Sequence, residues 1–261
     1  MKRAQWFAPF FIKMEIITST QNQYVKQVRS LREKKFRDKT GLFVVEGGNI
    51  FKDMPEGLSV EFILATETRM DEVQKLLVYT RAQVYYISES VMESLSDTVT
   101  PYGIIAVLKK PETQFSMPKG NALLLDGVSD PGNMGTIIRT AAARGFEDVY
   151  LLDCVDVYSP KVVRATIGGL FKVRLHVVDE AEALSLLDNL NSAVLDFGGE
   201  DLTKAQILTP VLIVTGSEAH GVRDTVLNHS KRVLTLPMMN NIESLNAAVA
   251  TAVAMYQTKG V

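Results

Sequence analysis

The feature that most restricts this chain is a series of short apolar segments, each closed by a glycine, proline or acidic turn and then followed by a new stretch. After residue 121 these segments are NALLLDG (Asn121 to Gly127), DVYLLD (Asp148 to Asp153), FKVRLHVV (Phe171 to Val178), SAVLDF (Ser192 to Phe197), PVLIVTG (Pro210 to Gly216) and RVLTLP (Arg232 to Pro237). Helical spacing separates several of them: Met134 to Arg144 (closed by Gly145), Lys161 to Ile167 and Ala181 to Leu190, with Ser244 to Gln257 as a last helix. Buried strands alternating with helices predict an α/β domain with a parallel sheet. Upstream, LFVVEG (Leu42 to Gly47), VEFILAT (Val60 to Thr66), QVYYIS (Gln83 to Ser88) and GIIAVLK (Gly103 to Lys109) predict a smaller α/β unit. Its helices are expected from Gln21 to about Lys39, from Asp71 to Tyr79 and from Ser90 to Leu95. The polar stretch KPETQFSMPKGN between the two units has linker composition. The expected division is an extension over 1–13, a small unit over 14–109, a linker over 110–120 and a larger domain over 121–261.

A length of 261 residues with 46% hydrophobic content suits one large or two modest globular domains and excludes a disordered or fibrous chain. The single cysteine, Cys154, rules out an intrachain disulfide and fits a reducing, cytoplasmic setting. No metal site is expected, since His176, His220 and His229 show no ligand spacing. No apolar run is long enough to span a membrane. The basic, aromatic start is interrupted by Gln5 and Pro9 and closed by Lys13 and Glu15, so it reads as an extension rather than a signal peptide. The formal net charge is −2, yet Lys26, Arg29, Arg32, Lys34, Lys35, Arg37 and Lys39 face only Glu33 and Asp38 in one short stretch. A basic face on an acidic body suits local docking to phosphate; a solvated helix face is the alternative.

Three loops concentrate polar residues among glycines. The first, DGVSDPGNMGTIIRT (Asp126 to Thr140), leaves a strand and opens a helix; Asn133 can cap that helix or touch a ligand, and Arg139 can fork onto phosphate or carboxylate. The second, VTGSEAHGV (Val214 to Val222), sets Glu218 between Gly216 and Gly221, with a helix expected after Gly221. The third, LPMMNNIESLNAAVA (Leu236 to Ala250), offers Ser244 as a helix cap and Asn246 in the first turn. No phosphate loop and no early dinucleotide fingerprint occur. Asp196-Phe197-Gly198-Gly199 faintly resembles the glycine loop of common Rossmann methyltransferases but comes late in its domain.

Together the three loops resemble motifs 1, 2 and 3 of the SpoU (TrmH) family of RNA ribose 2′-O-methyltransferases, in the SPOUT superfamily. The stretches DPGNMGTIIRTAAARGF, VTGSEAHGV and LPMMNNIESLNAAVA stand in family order. The stretch from Met14 to Lys109, chiefly its basic helix and GLFVVEG, resembles the family's ribosomal-protein-like substrate-binding domain. The resemblance implies S-adenosylmethionine as cofactor, a C-terminal trefoil knot and a homodimer. It implies donor contacts at Thr215, Gly216, Glu218, Leu236, Met238, Ser244 and Leu245. It also implies catalytic roles for Arg139, Asn133, Glu218, Ser244 and Asn246. Lys26, Arg29, Arg32, Lys34, Lys35 and Arg37 would hold RNA, with ribosomal RNA favoured over transfer RNA and no membrane partner. The resemblance implies a base role for Arg139; because arginine keeps its proton up to a pKa of about 12, a clamp on the phosphate beside the target ribose is the preferred expectation, with base function open only in an unusual environment. Ala219 stands where the family has glycine. The alternatives are a transfer-RNA methyltransferase and a non-catalytic RNA-binding assembly factor.

Overall fold

In the computed structural model, which describes residues 15–48, 54, 58–78 and 80–258, the expected extension over 1–13 lies outside the described residues. The N-terminal part contains α1 (Gln23–Ser30), α2 (Lys34–Thr40), β1 (Leu42–Glu46), β2 (Val60–Ala65), α3 (Met70–Leu76), β3 (Gln83–Tyr86), α4 (Glu89–Leu95) and β4 (Ile104–Lys109). Among the described residues its sheet has the order β1-β4-β2-β3, with β2 and β3 parallel and the other pairs antiparallel. The single helix expected from Gln21 to Lys39 is instead two. Arg37 explains the break: its Nη1 donates to the carbonyls of Leu31 and Arg32, both at 2.7 Å, so those oxygens leave the helical ladder. Glu33 is extended between the two helices.

The C-terminal part contains β5 (Ala122–Asp126), α5 (Pro131–Ala143), β6 (Asp148–Leu152), α6 (Pro160–Ala165), β7 (Arg174–Val178), α7 (Glu180–Asn189), β8 (Ser192–Asp201), β9 (Leu212–Gly216), α8 (Asp224–His229), β10 (Arg232–Thr235) and α9 (Ala247–Gln257). The strands form one all-parallel sheet in the order β10-β8-β9-β5-β6-β7. β7 starts at Arg174 rather than Phe171, because Gly169 to Lys172 form a 3-10 turn. Ala122, Leu124, Val194, Val214, Leu186 and Val226 pack on one face of the sheet. On the other face Leu123, Leu125, Ile137, Val163 and Ala254 join Phe43, Ile63 and Ala106 of the N-terminal sheet in one continuous core. The Phe43 and Tyr158 rings meet across that junction at 4.9 Å.

The strand order places a topological switch between β5 and β9. The chain runs outward from β5 through β6 to β7, then resumes on the other side of β5. Adjacent loops diverge at such a point and leave a crevice beyond the carboxyl ends of the strands, where open α/β sheets bind ligands. Asp126 and Gly216 are direct register partners, so the first two motif loops leave the sheet side by side. α9 returns from edge strand β10 to pack on α5 and β9, bringing the third loop to the same end.

Candidate active site at the strand switch

The three loops are joined by a chain of side-chain amides. Asn246 caps α9: its Oδ1 accepts the backbone N–H groups of Ala248 at 2.9 Å and Val249 at 3.2 Å. That fixes the amide orientation, so Nδ2 faces away and donates to Asn133 Oδ1 at 2.7 Å. Asn133 Nδ2 in turn donates to Glu218 Oε1 at 2.7 Å. One residue from each motif thus enters a single directed relay ending on a carboxylate. Partial burial raises the Glu218 pKa. The Asn133 amide and the N–H groups of Glu218, Ser129 and Asp130 outweigh it and hold the carboxyl below the usual glutamate range.

Two expectations about caps are corrected here. Asn246, not Ser244, is the N-cap of the last helix, which begins at Ala247; Ser244 is exposed on the loop before it. Asp130, not Asn133, caps α5, accepting the Asn133 N–H at 2.8 Å with Pro131 at the first helical position. Asn133 is thereby released for the relay.

The loop carrying Glu218 is closed at its base. Ser217 and Gly221 exchange backbone hydrogen bonds at 2.9 and 3.0 Å. Gly216 tolerates no side chain, since a β-carbon there would lie 2.1 Å from the Gly221 carbonyl carbon. Sequence reasoning missed the group that pins this loop. Buried Asp126 accepts the Arg223 backbone N–H at 2.8 Å and its Nε at 2.7 Å, while Arg223 Nη2 also reaches Asp153 at 2.9 Å. One residue therefore holds both ends of the loop: Asp126 pairs with Gly216 through the strand ladder and with the backbone and side chain of Arg223 through its carboxylate. The Asp126 carboxylate raises the Arg223 pKa, so the clamp stays charged. An acidic residue ending an otherwise apolar strand was the available signal.

The other expected residues are placed unevenly. Thr215 is buried and shares a 2.9 Å hydroxyl contact with Thr251 of α9. Leu236 and Met238 are half-buried, and Leu245 is exposed. Arg139 lies exposed on the third turn of α5; among the described residues its guanidinium has no hydrogen bond or ion pair and stands outside the relay. In the basic stretch Lys26, Lys34 and Lys35 are exposed. Arg32 binds the Leu95 carbonyl and Asp97, and Arg29 approaches Ser94. Arg37 does not belong to an RNA-facing set: it is 3% exposed and pairs with Asp156 at 2.6 Å. Among the described residues no helix is long and apolar enough to cross a membrane.

A family model described as the SpoU rRNA methylase family matches residues 120–256, over half of the chain. The chain belongs to the SpoU rRNA methylase family. Residues 22–106 match a second model, for an MRM3-like substrate-binding domain. RlmP of Bacillus subtilis, a 23S rRNA (guanosine(2553)-2′-O)-methyltransferase, is 33% identical over 95% of this chain and 100% of its own length. A TrmH-family structure from Porphyromonas gingivalis superposes with a TM-score of 0.81 at 31% identity, covering 92% of this chain and 98% of that one. A solved RNA 2′-O ribose methyltransferase gives a TM-score of 0.78 at 29% identity, covering 93% and 97%. As a SpoU-family member the chain is an RNA methyltransferase, and its methyl donor is S-adenosylmethionine.

The crevice fits that donor. Among the described residues, the backbone of residues 238–245 makes one internal hydrogen bond, from the Ile242 N–H to the Met239 carbonyl, so most of its polar groups are open to solvent or to a ligand. Apolar Leu236, Met238 and Leu245 lie among those groups, a mixture suited to an adenosine moiety.

Proposed function

We propose that this SpoU-family chain methylates a ribose 2′-hydroxyl in ribosomal RNA. The observation that carries this reading is the Asn246–Asn133–Glu218 relay, which fixes three distant loops around one crevice at the strand switch. When bound, S-adenosylmethionine supplies an electrophilic methyl group. The chain's own task is then to seat a ribose oxygen in line with that methyl and to hold the surrounding loops still. Arg139, whose guanidinium has no partner among the described residues, takes the phosphate beside the target ribose through its fork of donors. Glu218, Asn133 and Asn246 fix the loops around the ribose. Gly216, Thr215, Leu236, Met238, Ser244 and Leu245 line the donor side.

The choice of ribosomal RNA rests on the likeness to RlmP along nearly the whole chain. The two family matches support a substrate-binding unit over 14–109, a linker over 110–120 and a methyltransferase domain over 121–261. Exposed Lys26, Lys34 and Lys35, with Arg29 and Arg32, dock the RNA backbone on the first unit. The return of α9 from edge strand β10 to the sheet centre supports a threaded, knotted C-terminus. Exposed Leu245, Val249 and Tyr256, 42%, 48% and 62% accessible on one side of α9 and its approach, support a homodimer through that helix. The compartment is the cytoplasm.

Transfer of labelled methyl from the donor to bulk RNA tests the reaction. The Arg139→Ala variant should keep donor binding and lose transfer by about 100-fold or more. Full-rate transfer by that variant removes Arg139 from the mechanism.

A further inference from the structure

Among the described residues, the non-glycine positions with positive φ are Asp153, Ile167, Asn240 and Asn241. Asp and Asn tolerate that region; a β-branched isoleucine at φ +47° does not. Its Cβ crowds the following carbonyl oxygen. Ile167 comes directly after Thr166, the C-cap of α6, at the position where helices most often carry glycine. Packing does not explain the choice, because Ile167 is 43% exposed. Backbone strain of this kind persists only where the surroundings enforce it, and it gathers at functional sites.

The turn that enforces it is seated on the helix that carries Arg139. Thr166 is buried, and its Oγ1 donates to the Val163 carbonyl at 2.7 Å. The Ile167 N–H donates to the Arg164 carbonyl at 3.2 Å, and the Gly169 N–H to the Thr166 carbonyl at 2.9 Å. A β-carbon on Gly135 of α5 would lie 2.3 Å from Ala165 Cβ, and one on Gly169 would lie 2.9 Å from Arg139 Cα. The turn therefore touches α5 at two points one helical turn apart, Gly135 with Ala165 and Arg139 with Gly169. Ile167 stands midway between those two contacts in the chain. Glycine at 167 would close the same turn with less strain, so the side chain serves a contact outside the folded chain. A nucleotide whose phosphate is held by Arg139 brings its base to this region.

We propose that Ile167 is a wedge for the target nucleotide: it packs on the face of the base whose ribose receives the methyl, once that base has left its stack. Apolar side chains hold unstacked bases in this way without reading their hydrogen-bonding edges. The inference rests on the methyltransferase reading, with Arg139 as phosphate clamp, and adds an RNA contact to it.

Methyl transfer to unmodified 23S rRNA by the full chain tests this, with S-adenosylhomocysteine affinity, Tm and oligomeric state measured in parallel. Wild-type protein must first bind that ligand and transfer methyl; failure there sinks the methyltransferase reading and this contact with it. Glycine and asparagine both accept the left-handed region, and neither supplies an apolar surface. Ile167→Gly and Ile167→Asn should each raise Tm by about 2–4 °C as the strain is relieved. Both should leave the S-adenosylhomocysteine Kd unchanged and lower kcat/KM for RNA about tenfold or more, the scale of one lost aliphatic contact. Ile167→Val should restore most of the rate. Full-rate transfer by the glycine and asparagine variants overturns the proposal. A lower Tm in both does so too, since Ile167 would then be a packing residue. A changed oligomeric state also overturns it, by placing the side chain between copies of this chain.

Discussion

Asn133 stands between two partners, and its loss is felt on both sides. The Asn133→Ala variant leaves the Asn246 amide and the Glu218 carboxylate without each other's intermediary. Misplacement of reacting groups by about 1 Å costs on the order of 100-fold, and a drop of that size in kcat/KM is the expected result. Steady-state kinetics at saturating donor measures it. Glu218 adds a pH signature. Its folded pKa is depressed, so its contribution to loop order is fully present above the unfolded glutamate value of about 4.3. It is lost only as pH falls through the lower folded value. Donor affinity should therefore hold at mildly acid pH in the wild type, and a Glu218→Gln variant should be weak throughout. The polar residues of the three loops were legible in the sequence because each breaks a glycine-rich or apolar context. Asp126 and Arg223 were not, because their pairing spans 97 positions and exists only once β5 and β9 lie side by side.

Among the elements, the strands were legible because a run such as ALLLD has no other place than the centre of a sheet. Helix ends were not, since caps compete locally. Ser244 and Asn246 both suit an N-cap, and the geometry of the Ala248 and Val249 N–H groups selects Asn246. The two make opposite predictions in thermal unfolding. Asn246→Ala should cost about 1 kcal/mol as a lost cap, while Ser244→Ala should leave stability unchanged. A second element-level test lies at the β6–β7 edge. Asp148, at the start of β6, binds Arg174 at 2.7 Å and His176 at 2.9 Å on β7. Burial raises its pKa, but Arg174 and His176 outweigh that and lower it overall. The stabilisation is present above about pH 4 and lost as pH falls through the folded value. Urea unfolding should show Asp148→Asn less stable than wild type near neutral pH, with the gap closing in acid.

At the scale of the whole molecule, the two sheets share a core and are fastened by the Arg37–Asp156 pair. The basic stretch was legible as charge; the burial of one member of it was not, because composition carries no direction. Removing one partner of such a buried pair costs about 3–5 kcal/mol, so Arg37→Ala should lower stability sharply. Replacing exposed Lys34 and Lys35 by Gln should instead leave stability unchanged and weaken RNA binding. The dependence of affinity on salt should become shallower by about two phosphate contacts.

The most direct measurement places the methyl group itself. Unmodified 23S rRNA is incubated with the purified chain and labelled donor, then cleaved with alkali, which spares a linkage whose 2′-oxygen is methylated. One new alkali-resistant linkage carrying the label, absent with Arg139→Ala, is the result expected. Label recovered only on a base, with every linkage still cleaved, would contradict the account.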